Sequence, residues 1–146
     1  MDFQLPTFIK TTEDKNECNI YLDLLEKSLF QNNSQEILHD KIPSFFSDVI
    51  TKDLAQTKLT LSDYLTKIKT IIGSLEPVSL TLAIRPSVAF QNTLYNWITS
   101  HLSPKAILDL SYDPSLIAGV IITYQGKYHD LSYKNTLTQY FNSKPN

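Results

Sequence analysis

One cysteine, Cys18, stands in a chain of 146 residues. It excludes an internal disulfide and any cysteine-based zinc site, which fits a reducing compartment. Glycine is nearly as scarce. The three present, Gly73, Gly119 and Gly126, are spaced too widely to build a phosphate-cradling glycine-rich loop. No apolar stretch approaches the length of a membrane span. The N-terminus carries no apolar core behind a basic start, so no secretory signal is expected. Any membrane association is therefore expected to run through a partner. Charge of one sign is also missing: the net charge is −2 with no basic block. A broad positive face for nucleic acid or anionic membrane is not expected. What remains is an ordinary globular mixture, 42% hydrophobic and 19% charged, enough for one compact domain or two small ones.

Residues 1–12 read as a tail broken by Pro6. Thr12 is a candidate N-cap, with Glu13, Asp14 and Glu17 placing negative charge on the first turns of a helix. Cys18, Tyr21, Leu22, Leu25 and Leu29 recur at helical spacing, so a helix is expected over Glu13–Phe30. Gln31-Asn32-Asn33 ends it, and Ser34 starts a short helix carrying Ile37 and Leu38. Pro43 fits the first turn of a third helix, with Phe46, Val49, Ile50 and Leu54 on its inner side. Thr60 or Ser62 caps a fourth. There Leu61, Leu65, Ile68, Ile72 and Leu75 alternate spacings of four and three. The plainer reading is a core stripe in a small bundle, because the run falls short of the heptads that a coiled coil needs. Read as a seam for a partner helix, the same five are the candidate partner interface.

Gly73 and Pro77 mark a boundary near residue 76, with a helical domain over 1–76 and an α/β domain over 77–146. Val78, Leu80, Leu82 and Ile84 alternate with Ser79, Thr81, Ala83 and Arg85, the period of a strand with one buried face. Pro86-Ser87 opens a helix with Phe90, Leu94, Trp97, Ile98 and His101 or Leu102 along one side. Ser103-Pro104 stops it, and Ala106–Leu110 is a second strand. Asp113-Pro114-Ser115 is turn chemistry. The apolar, β-branched run Leu116–Tyr124 reads as a buried strand, with Ala118-Gly119 suggesting a bulge or a close backbone neighbour. Gln125-Gly126 offers a tight reversal into Lys127–Asp130. Ser132 caps a last helix with Leu137, Tyr140 and Phe141 facing in, and the polar end 142–146 is expected to fray. Helices followed by strand–helix–strand–strand–strand–helix make an α+β fold: a short helical bundle, then a small mixed sheet packed with two helices.

The stretch from Asp113 to Ser132 resembles a known family. Asp113, Pro114, Leu116, Ile117, Gly119, Gly126, Asp130 and Ser132 match a pattern in the C-terminal part of the δ subunit of F-type ATP synthases, the oligomycin-sensitivity-conferral protein in mitochondria. Ala118 stands where that family usually has the first glycine of a pair, and Leu131 where glycine is common. The resemblance is clearest over residues 78–141. It implies a non-catalytic subunit of the peripheral stalk, without cofactor or metal, at the cytoplasmic face of the cell membrane or its organelle equivalent. Its implied partners are the α subunit of the catalytic head and the b subunit of the stator. The helical domain would bind a short helix of the head and the C-terminal domain the far end of the stator helices. The helical half is shorter than the family's.

The residues themselves offer little chemistry. His39, His101 and His129 have no evident partner for catalysis, since His129 and Asp130 point to opposite faces of a strand and no Gly-x-Ser-x-Gly elbow exists. Asp109, Asp113 and Asp130 could meet a hard cation, but turn capping by Asp113 and Asp130 explains the two without one. Tyr112, Tyr124, Tyr128, Tyr133 and Tyr140, with Trp97, are expected around the sheet. Stacked aromatics on a small sheet can bind single-stranded nucleic acid, which is the alternative function. That reading needs clustered Lys and Arg, whereas the C-terminal half has one arginine, Arg85. A protein-binding face fits better.

Overall fold

Helices come first and a strand–helix–strand–strand–strand–helix series follows, as the periodicity requires. The computed structural model describes residues 3–143, and for Tyr140 and Phe141 the backbone alone. Of the end expected to fray, 142–146, Asn142 instead closes the last helix, and residues 144–146 lie outside that range. Contacts divide the chain into two units between Leu75 and Glu76, one residue before the expected boundary.

The first unit holds α1 (Thr12–Gln31), α2 (Ser34–Asp40), α3 (Ser44–Thr57) and α4 (Leu61–Gly73). The N-cap of α1 is Thr11 rather than Thr12. Its hydroxyl accepts from Asp14 N at 3.1 Å, while the Asp14 carboxylate accepts from Thr11 N at 2.9 Å. This reciprocal box satisfies two amides that a helix start leaves open. Pro43 is the N-cap of α3, one place before the first turn. Thr60, not Ser62, caps α4, accepting from Asp63 N at 3.2 Å. Asn32 and Lys58 close α1 and α3 in the left-handed conformation.

The core of this unit comes from Cys18, Leu22, Leu25, Ile50, Leu65, Ile68 and Ile72, among others. Each large aliphatic side chain so buried contributes about 1.5–3 kcal/mol. The seam on α4 is therefore corrected. Leu65, Ile68 and Ile72 are buried, Leu61 and Leu75 half-buried, because α4 packs on α1 and on the N-terminal segment. The stripe is already occupied from within the unit.

Residues 3–12 are not a tail. Leu5–Phe8 forms a 3₁₀ turn with Pro6 in its first positions, where a proline's missing N–H costs nothing. Phe3, Leu5 and Ile9 are buried. The segment is fastened by Asp53, a fully buried acid that accepts from Gln4 N at 2.8 Å, Leu5 N at 3.3 Å and Tyr64 Oη at 3.1 Å.

The second unit holds β1 (Glu76–Leu82), α5 (Val88–His101), β2 (Ala106–Tyr112), a 3₁₀ turn (Pro114–Leu116), β3 (Val120–Tyr124), β4 (Lys127–Asp130) and α6 (Tyr133–Asn142). The sheet runs β2-β1-β3-β4, with β1–β2 parallel and the other pairs antiparallel. The long connection through α5 is what a parallel pair requires. Val78, Leu80, Ala106, Leu108 and Ile98 form a core on one face of the sheet. Ile84 does not belong to it. The strand ends at Leu82 and Ile84 is 76% exposed. The inward line of α5 runs through Leu94, Tyr95 and Ile98, so Phe90 and Trp97, about one residue's rotation off that line, are exposed. His101 and Leu102 are exposed as well, and His101 stacks on Trp97 at 4.8 Å. The expected strand Leu116–Tyr124 is shorter than its β-branched composition suggests. It begins at Val120, because residues 116–119 are spent on tight turns. Gln125 and Gly126 both have positive φ, 49° and 75°, the two-residue reversal whose twist suits a hairpin.

Candidate partner-binding surfaces

The residues that carry the Asp-Pro pattern gather at one corner of the second unit. Asp113 accepts from Ser115 N at 2.9 Å and opens the 3₁₀ turn. Leu116 is buried. The next residue, Ile117, has φ 69° and ψ −55°, and Ala118 N reaches back to Leu116 O at 2.8 Å. That is a γ-turn of the strained hand, made by a β-branched residue that rarely tolerates positive φ. Gly119 follows at φ 88°. A Cβ there would lie 2.4 Å from Leu131 O, so the close backbone neighbour expected of this glycine is the segment leading into α6. Leu131 N bonds Val120 O at 2.9 Å and Tyr133 N bonds Ala118 O at 2.8 Å. Asp130 accepts from Ser132 N at 2.9 Å, and the buried Ser132 caps α6 through Asn135 N at 3.2 Å. Gly126 alone of the eight lies elsewhere, at the far end of β3. Hydrogen bonds from Ser115 hold the Asp113 carboxyl below its usual range, and those from Ser132 do the same for Asp130. Both acids cap turns.

Beside this corner lies an apolar groove enclosing roughly 500 Å³. Its walls are residues 82–87 after β1, Phe90 and Leu94 of α5, and residues 117–120. Ile84, Phe90 and Ile117 stand open to solvent along it, Ile117 at 59%. Arg85 is the one charged side chain of the lining among the described residues. Its guanidinium sits 5.2 Å from the centre of the Tyr112 ring, a cation–π contact that limits its wandering. Sequence reasoning placed Phe90 in the core and saw Arg85 only as a scarce charge. The signal it had was the apolar Ile84 two residues before Pro86, two steps beyond the end of a strand.

The first unit has an apolar surface of its own. Phe8 and Phe45 meet edge to face at 4.8 Å, Phe45 and Phe46 at 5.7 Å, and Phe46 and Tyr21 at 5.1 Å. Phe8 and Phe45 are exposed. Large aromatic side chains with restricted rotamers are the usual anchors of protein interfaces. The adjacent pair Phe45-Phe46 at a helix start, where one must face outward, was the available signal.

The sheet face opposite the core carries Pro77, Ser79, Thr81, the buried Ile107, Asp109, Ser111, Ile121, Thr123, Tyr128 and Asp130 by register. Ser79 donates to Asp109 at 3.0 Å, and the Thr81 and Ser111 hydroxyls lie 2.8 Å apart. The strand tyrosines divide between the two faces. Tyr112 and Tyr124 share the core side, where Tyr124 bonds Glu76 at 2.7 Å, and Tyr128 stands on the other. Tyr133 is exposed at the start of α6; the side chain of Tyr140 lies outside the described residues. A face with two acids and no cation in its strands repels phosphates rather than attracting them.

His39, His101 and His129 are all exposed on separate elements. Among the described residues no group of three His, Cys, Asp or Glu is placed to hold a metal ion. None of the described helices is long and apolar enough to cross a membrane. Comparison of the chain with models of known protein families and with curated proteins finds no match.

Proposed function

We propose that this chain is a connector subunit of the peripheral stalk of a rotary F-type ATP synthase. It ties the catalytic head to the stator helices and transforms no substrate. The observation that carries the reading is the corner at Asp113–Ile117, Gly119 and Asp130–Ser132. Seven residues of the sequence pattern, up to nineteen positions apart, lie there in two turns that the Tyr133–Ala118 and Leu131–Val120 backbone bonds tie together, with Gly119 close against Leu131 and Ser132. They make one turn-rich junction beside an open apolar groove. A brace needs a surface on each unit. The aromatic row of the first unit and the groove of the second supply one each, with the head subunit α and the stator subunit b as their respective partners. Membrane association then runs through those partners, at the cytoplasmic face or its organelle equivalent. The nucleic-acid alternative loses support because the sheet face opposite the core carries two acids and no cation.

Affinity capture from detergent-solubilised native membranes tests the reading. Co-purification of head and stator subunits is expected, surviving nuclease treatment. Recovery of nucleic acid without those subunits, or turnover of a small molecule by the purified chain, overturns it.

A further inference from the structure

We propose that the groove of the second unit is a binding site for a small single-chain amphiphile with a carboxylate head, a free fatty acid in chemical class, its head on Arg85 and its chain against Leu94, Phe90 and Ile117. The proposal needs the groove and not the connector reading. A protein seated on the same surface would compete with this ligand.

Size points to a small molecule. A space of roughly 500 Å³ falls within the range of about 300–1,000 Å³ that small-molecule sites occupy. The walls also stand ready without a guest, as such sites usually do. Ala83 and Pro86 are buried in the loop after β1. Gly119 is pressed against Leu131, where a Cβ would come within 2.4 Å of the carbonyl oxygen. Both loops that frame the groove are therefore fixed.

Charge decides the head. Tyr112 and Val120 flank Leu82 on opposite sides. Arg85, held near the Tyr112 ring, marks the β2 side of the groove and residues 117–120 the β3 side. No acid belongs to the lining. Among the described residues both ion pairs belong to Lys69, so the charge of Arg85 is not neutralised. A nucleotide brings more negative charge than one cation meets, and a sugar would set its hydroxyls against apolar walls. A monoanion with an apolar body suits both features, and a carboxylate matches the guanidinium fork. Ser87 adds to the same end. Its oxygen accepts from Phe90 N at 3.2 Å, which leaves the hydroxyl proton to donate to the head. It stands at the start of α5, where the helix dipole favours negative charge. The remaining wall is aliphatic apart from Phe90 and suits a hydrocarbon chain.

The test is a calorimetric titration of the full chain with saturated carboxylates from octanoate to tetradecanoate, each below its micelle concentration. One saturable site is expected, with affinity rising about fourfold per added methylene until the groove is full. Arg85→Gln should weaken dodecanoate about tenfold or more. It should leave unchanged the binding of dodecanol, which has the same chain and no charge. Ile84→Glu should remove dodecanoate binding while the chain melts at its usual temperature, since that side chain already lies in water. If that variant melts lower, Arg85→Gln decides alone. Absence of a saturable site overturns the proposal. So does dodecanoate binding that is indifferent to Arg85→Gln, or dodecanol bound as tightly as dodecanoate, because either result describes an apolar surface that reads no head group.

Discussion

Asp53 and Tyr64 meet inside the first unit, the phenol oxygen 3.1 Å from Oδ2 and both residues fully buried. An acid inside a bundle is tolerable only when its oxygens are occupied. Two of its three donors come from the backbone of residues 4 and 5, so the N-terminal segment and the α3–α4 pair complete one another.

Replacing that acid tests the dependence. Asp53→Ala leaves two amides and a phenol without an acceptor, at about 1–3 kcal/mol for each group that water does not reach. Asp53→Asn keeps the shape but aims its amide group at donors, and should cost less. Tyr64→Phe removes one hydrogen bond to a charged group, about 1.5–3 kcal/mol. Chemical denaturation gives the ranking. Limited proteolysis should cut the Asp53→Ala chain first within residues 3–12.

The three glycines should separate cleanly. Gly119→Ala meets Leu131 O and a positive φ together, so overpacking and the left-handed cost combine to roughly 2–5 kcal/mol. Gly126→Ala has the same backbone demand in open space and should cost about 1–2 kcal/mol. Gly73, on α4 with nothing within 4 Å of a Cβ, should gain about 0.5–1 kcal/mol on change to alanine. Thermal melts of the three variants check the order.

Leu65→Ala and Ile68→Ala distinguish a core stripe from a docking seam. As core, each costs about 2–5 kcal/mol, read by denaturation of the isolated full chain. Substitution of a free seam would leave that stability nearly unchanged.

Alkali should weaken the first unit. Burial pushes the Cys18 thiol from 9.0 up to about 12, and burial followed by the Asp53 charge raises Tyr64. Both folded-state values lie above the unfolded ones. Their neutral forms therefore stabilise the fold fully below pH 9, and that contribution is lost as pH rises toward 12. Melting temperature should drop across that window, and Cys18→Ala should flatten the drop. Iodoacetamide at pH 8 should label Cys18 only after unfolding, since the thiolate is the nucleophile.

Much of the fold was legible because it rests on periodicity and caps. The alternation through Val78, Leu80 and Leu82 gave β1, and Gln125-Gly126 gave the hairpin. What was hidden depends on partners distant in sequence. Pro6 reads as a breaker, yet a first-turn proline is also a helix starter, and only Asp53 decides between them. Asp53 itself falls at inward spacing after Val49 and Ile50, a clue that an acid's polarity obscures. The run from Leu116 looked like strand because β-branched residues favour strands; Gly119 seating on Leu131 overrides that preference for four residues. Apart from Ile84 the groove was illegible, since it forms where the end of β1, the start of α5 and the turn after β2 come together.

The parallel pairing of β1 with β2 joins residues thirty positions apart, as at Ser79 and Asp109. Such a pair cannot form until the whole of α5 has been made and folded back, a slow closure by the rules that link topology to rate. The helical half needs only neighbours within its own first seventy-five residues. On a ribosome it should condense while the sheet's second strand is still unsynthesised. Chains released early would then carry a finished bundle and a β1 strand with no parallel neighbour to zip onto.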